Sequence, residues 1–123
     1  MTGNTVSNAG NNLSIGLPVQ GINLNGGVTP GDTFAICAQI GGAAVAQKND
    51  LDSAAGPFGG GDFRLRQRQS TTVRLPGYAG GATDTAAVVA FVNANNTVSG
   101  SGTATVSSPP GGGFVGGAAC PVP

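Results

Sequence analysis

Apolar residues alternate with small or polar ones along most of the chain, the period-two signature of strands rather than the 3.6-residue period of helices. In NLSIGLPVQGINLN, Leu13, Ile15, Leu17 and Val19 take every second position, and Ile22 and Leu24 resume the alternation after Gly21. This predicts two short strands or one bent strand. NGGVTPGDT is punctuation, because Asn-Gly and Pro-Gly favour turns. TFAICAQI follows as a strand, and AAVAQK is a candidate hairpin partner across Gly41 and Gly42. The connector NDLDSAAGPFGGG has little strand character, and a loop of that length in a compact domain tends to be functional or to cover something. GDFRLRQRQSTTVRL, residues 61–75, is the most regular strand pattern and stops at Pro76-Gly77.

TDTAAVVAFVNANN is ambiguous. Asp84 suits a helix N-cap, and Asn95 with Asn96 suits a helix end. Against that, Val88, Val89, Phe91 and Val92 are β-branched or aromatic, and Asn-Asn suits a hairpin turn into TVSGSGTATVSS. A strand buried on both faces is the expectation for residues 84–95. TATV is the last strand expected before an extended Pro/Gly tail. Asn-Thr-Val-Ser occurs at 4–7 and again at 96–99, but four common residues are slim grounds for a repeat. The pattern as a whole predicts an all-β chain: a small single-domain sandwich or barrel of six to eight short strands with extended Gly/Pro-rich tails. The arm covers residues 1–12, the β-sandwich-like domain 13–108 and the C-terminal tail 109–123.

Composition adds that this domain is short of core. Gly and Pro account for 23 and 8 of 123 residues, and large apolar side chains are few, so the chain needs support from elsewhere to be rigid. Ends this rich in Gly, Asn and Pro are ordered only when something holds them; the expectation is that they lie on neighbouring subunits. The N-terminal segment has no basic n-region and no apolar h-region of the length a signal peptide needs, and no stretch is long enough to span a membrane. The expected reading is a chain that starts at its own Met, with export left open.

Charge narrows the chemistry. Five basic residues balance five acidic ones, and there is no histidine, so the usual proton shuttle and the favourite transition-metal ligand are missing. There is no phosphate-binding Gly-Lys-Ser/Thr loop and no Gly-x-Ser-x-Gly elbow. Zero net charge argues against a nucleic-acid partner. No cofactor is expected, and the chain does not read as an enzyme. Asn49, Asp50 and Asp52 place oxygen ligands close together, but the acidic residue that would complete a calcium loop is missing, so a solvated turn is the expected reading.

Two features remain. Arg64, Arg66 and Arg68 occupy alternate positions and Arg74 keeps their phase, which in an extended strand makes a ladder with steps of about 6.8 Å. Such a ladder is a solvated edge that discourages strand-to-strand aggregation, or docks on carboxylates, which arginine forks grip in bidentate fashion, or, last in rank, meets nucleic acid or an acidic polysaccharide. Candidate acids are Asp50, Asp52 and Asp62 of the same or an adjacent copy, or those of another protein. Cys37 and Cys120 are the only cysteines. Paired within one chain, they would add about 4.5 kcal/mol by the loop-entropy relation; paired between chains, they would staple an assembly; unpaired, they are inert thiols. An oxidised pair is the expectation, and it implies work outside a reducing cytosol. Asn12-Leu13-Ser14 and Asn95-Asn96-Thr97 match the glycosylation pattern, as chance allows in so Asn- and Ser-rich a chain.

These features predict a non-enzymatic structural protein that decorates or cements a larger assembly. A virus or phage particle, with the protein on the virion surface, comes first. A subunit of an extracellular filament or cell-surface layer is the alternative. A small carbohydrate- or ligand-binding β-sandwich ranks third, because Trp is absent and Tyr78 is the sole tyrosine. The expected partners are copies of the chain itself or a capsid or other structural protein.

Overall fold

The computed structural model describes residues 1–7, 21–52, 61–100, 102–107 and 112–121. The strand read over Leu13–Val19, the Gly-rich stretch 53–60 and the acceptor pattern at Asn12 lie outside these residues.

Among the described residues, nine short strands group into three sheets. The first holds β1 (Thr5–Ser7), β4 (Asp50–Asp52) and β7 (Thr97–Val98). The second holds β2 (Ile22–Gly26), β5 (Phe63–Gln67) and β8 (Gly102–Val106). The third holds β3 (Ala35–Cys37), β6 (Thr72–Arg74) and β9 (Gly113–Val115). Every pairing is parallel, and each strand pairs with the one three places away in the chain. The chain therefore visits the sheets in a fixed order three times, which makes a parallel β-helix of three rungs. The expected β-rich character is what the chain adopts, but among the described residues no barrel closes. The pairing is parallel, whereas sandwich hairpins require antiparallel pairs. β1 and β9 fall within the segments read as an arm and a tail.

Alternation decides which side chains fill the interior. In the second sheet three inward columns stack in register: Ile22, Phe63 and Gly102; Leu24, Leu65 and Ala104; Gly26, Gln67 and Val106. Phe63 and Leu65 are fully buried in the middle rung. Residue 102 has to be glycine, because a Cβ there would sit 1.9 Å from the Phe63 ring. Leu51 fills the interior from the first sheet, and Val73 and Phe114 from the third. Gln67 is buried as well, and its Nε2 donates to the carbonyls of Gln69 (3.0 Å) and Thr71 (2.7 Å), closing the corner between β5 and β6.

Residues 84–95 correct the sequence reading: Thr85–Ala94 form a helix, α1. Asp84 caps it, its side chain accepting from the Ala87 N–H at 2.9 Å. Val88 and Val92, one turn apart, are fully buried. Four alanines among its ten residues supply helix propensity that the β-branched residues only partly offset. The helix is inserted between the second and third rungs and packs on β7 and β8, so it covers the core at the third rung. Tyr78 lies beside it, ring edge to face with Phe91 at a centroid distance of 5.7 Å. Its hydroxyl donates to the carbonyl of Gly81 (2.8 Å). Burial raises the Tyr78 pKa above 10.0, and the Asp84 charge pushes the same way.

A column of asparagines ties the rungs together at the entrance to the first sheet. Asn4 Nδ2 donates to Asn49 Oδ1 at 3.0 Å, and Asn49 Nδ2 donates to Asn96 Oδ1 at 2.8 Å. Asn96 Nδ2 completes the column by donating to the Val92 carbonyl in the last turn of α1, at 2.7 Å. Asn49 and Asn96 are buried. Each asparagine stands immediately before the first strand of its rung, so the column marks the register of the coil.

Candidate functional site

The outward positions of the β-helix carry its chemistry. On the second sheet, three rows face out: Asn23 and Asn25 on β2, Arg64 and Arg66 on β5, Thr103 and Thr105 on β8. Register aligns them in two columns, Asn23 with Arg64 and Thr103, and Asn25 with Arg66 and Thr105. The arginines are half-buried between the exposed rows to either side. Asn25 Nδ2 donates to Asn23 Oδ1 at 3.2 Å, which orders the first-rung row. The result is a flat surface of hydrogen-bonding groups with two guanidinium groups in its middle row.

The four arginines of the sequence ladder do not share this face. Arg68 lies just beyond β5, at the corner, where its N–H donates to the Gly26 carbonyl at 2.7 Å. Arg74 belongs to β6 in the third sheet. There its Nε donates to Cys37 Sγ at 3.3 Å. Alternation in the sequence continues through residues 68–74, but the chain turns from one sheet to the next within that span, so only Arg64 and Arg66 remain side by side.

The cysteines pair within the chain: Cys37 and Cys120 form a disulfide, with a Cα–Cα distance of 5.6 Å. Cys37 belongs to the first rung, in register with Arg74 of the second and Val115 of the third. After β9 the chain must return to reach Cys37. Gly117 accepts from the Gly77 N–H at 3.3 Å on the way. The C-terminal segment is thus a strap laid back from the third rung to the first, with Arg74 held between.

The acids offered to the arginines stand elsewhere. Asp62 is buried at the foot of β5, where its Oδ2 accepts from the Gly100 N–H at 2.6 Å. Asp50 and Asp52 are exposed on the outer side of β4, flanking the inward Leu51. Asp52 Oδ1 accepts from Ser99 Oγ at 2.8 Å. Asn49 does not join them as a cation ligand: its Oδ1 accepts from Asn4, and its Nδ2 donates to Asn96 and to the Met1 carbonyl. Among the described residues, no group of three or more His, Cys, Asp or Glu side chains is placed to hold a metal ion. Asn95 donates its Nδ2 to the Phe91 carbonyl at 2.8 Å, so the second glycosylation pattern has its acceptor amide engaged at the end of α1. Among the described residues no helix is long and apolar enough to cross a membrane.

The asparagine column gives meaning to a sequence match too short on its own to count as a repeat. Asn-Thr-Val-Ser at 4–7 and 96–99, with Asn-Asp-Leu-Asp at 49–52 between them, is one rung motif read three times.

Fold and faces together define a small, disulfide-strapped parallel β-helix with one basic and one acidic side. No protein-family description, curated protein or solved structure matches the chain.

Proposed function

We propose that this chain is a non-enzymatic structural subunit, joined to a larger assembly through the outer face of the β2–β5–β8 sheet. The observation that supports this reading is the Arg64–Arg66 pair, set in register between two polar rows on the outer face of one sheet. Guanidinium forks at fixed spacing grip carboxylates in two-point geometry, and a parallel β-helix holds them at that spacing without further ordering. The disulfide strap fits an oxidising exterior. The surface of a virus or phage particle is the setting that best combines these features, and an extracellular filament or surface layer is the second.

Light scattering on the oxidised protein over a hundredfold range of concentration tests the reading. The expected result is a species heavier than the 11.8 kDa chain, shrinking as salt is raised because the contact is ionic. Reductant should not split it into chains by cutting covalent links, since the disulfide is internal. A monomer at every concentration that binds a sugar saturably would overturn the structural reading in favour of a carbohydrate-binding module.

A further inference from the structure

The two charged faces are complementary in spacing, height and setting. Arg64 and Arg66 are two residues apart on β5; Asp50 and Asp52 are two residues apart on β4. Both pairs therefore present charge at a step of about 6.8 Å. Both belong to the middle rung, and both are flanked by uncharged polar residues of the rungs on either side. Around the arginines these are Asn23, Asn25, Thr103 and Thr105; in register with Asp50 they are Thr5 and Thr97. The faces belong to different sheets of one β-helix, so a single copy cannot bring them together.

Resting on the structural reading above, we infer that the Arg64–Arg66 face of one copy docks on the Asp50–Asp52 face of a second copy, side by side. With the two axes parallel, both chains coil in the same sense, so the facing strands run in opposite directions. Asp50 then meets Arg66, and Asp52 meets Arg64. Each copy offers both faces, so the contact is heterologous and passes from copy to copy, closing into a ring or running on as a filament. Four of the chain's ten charged residues are used in a single contact, which accounts for their concentration on two outer faces of one rung.

Charge exchange tests this directly. The doubly reversed chains Arg64→Asp/Arg66→Asp and Asp50→Arg/Asp52→Arg are measured alone, mixed in equal amounts, and combined in one quadruple variant, by sedimentation at low and high salt. Each reversed chain alone should associate at least about tenfold more weakly than the wild type. The equimolar mixture and the quadruple variant should both recover association, because each restores one basic face opposite one acidic face. Circular dichroism and urea midpoints confirm folding, and the neutral variants Asp50→Asn/Asp52→Asn and Arg64→Gln/Arg66→Gln repeat the test should a reversal disturb the fold. If the arginine reversal disrupts assembly but neither the mixture nor the quadruple variant recovers it, the arginines meet other carboxylates. The copy-to-copy contact is then overturned while the structural reading stands. If neither reversal alters an assembly that the wild type forms, the contact is likewise overturned. A wild type that stays monomeric at every concentration overturns the copy-to-copy contact, and the structural reading falls with it only if that monomer also binds a sugar saturably.

Discussion

Asn49 is the residue on which the rungs depend. Its side chain accepts from one neighbour in the column and donates to the next, and it is almost fully buried. Replacing it with alanine removes the amide that buried Asn96 accepts from and the acceptor that exposed Asn4 uses, and weakening the satisfaction of a buried group costs about 1–3 kcal/mol. Asn49→Ala is expected to lower stability by about 2–3 kcal/mol, read as a lower urea midpoint, whereas substitution of exposed Asn23 should change it little. At this scale the sequence was partly legible. The matching tetrapeptides at 4–7 and 96–99 are two steps of the column. The third, Asn-Asp-Leu-Asp, keeps only the asparagine and the inward apolar position, the two that the column and the core require. The arginine alternation was legible too, but its break at residue 68 was not: a corner in the coil leaves the period-two pattern of the chain intact.

Among the elements, α1 shows where local pattern misleads. Its cap and its alanines favour a helix, while four β-branched or aromatic residues favour a strand. The i, i+4 pair Val88 and Val92, both buried, shows that packing over the third rung selected the helix. Tyr78 reports on this packing through its titration. Its folded pKa lies above 10.0, so at pH values above 10.0 the unfolded chain releases the phenolic proton while the folded chain retains it. The contribution is therefore fully present below pH 10.0 and is lost as pH climbs through the folded value. Stability should fall on the alkaline side, and Tyr78→Phe should lack that part of the fall. Tyr78 is the only tyrosine and there is no tryptophan, so phenolate absorbance follows this group alone.

At the scale of the whole molecule, the β-rich character was readable, but the number of strands, nine among the described residues against six to eight expected, and their pairing were not. Register partners in successive rungs stand roughly 40 residues apart, with uneven insertions between them, so no fixed period betrays the coil as it does in regular solenoids. Parallel partners so distant leave no hairpin signal either. What holds so modest a core is in good part the strap. Reduction, or Cys120→Ser, frees a loop spanning 83 residues and is expected to lower stability by about 4.5 kcal/mol, measured by urea unfolding of the oxidised and reduced chains.

The same bond decides how the molecule carries load. A pull between its two ends passes from Cys37 straight to Cys120, since the disulfide joins the first rung to the strap. The stretch between them, which holds β4 to β9 and both charged pairs, lies outside the path of the force. Only the chain before Cys37 and the last residues after Cys120 can be drawn out. Under tension the backbone that bears Arg64, Arg66, Asp50 and Asp52 is not itself stretched, whereas β1 and β2, which pair with it, are the strands that can be peeled away.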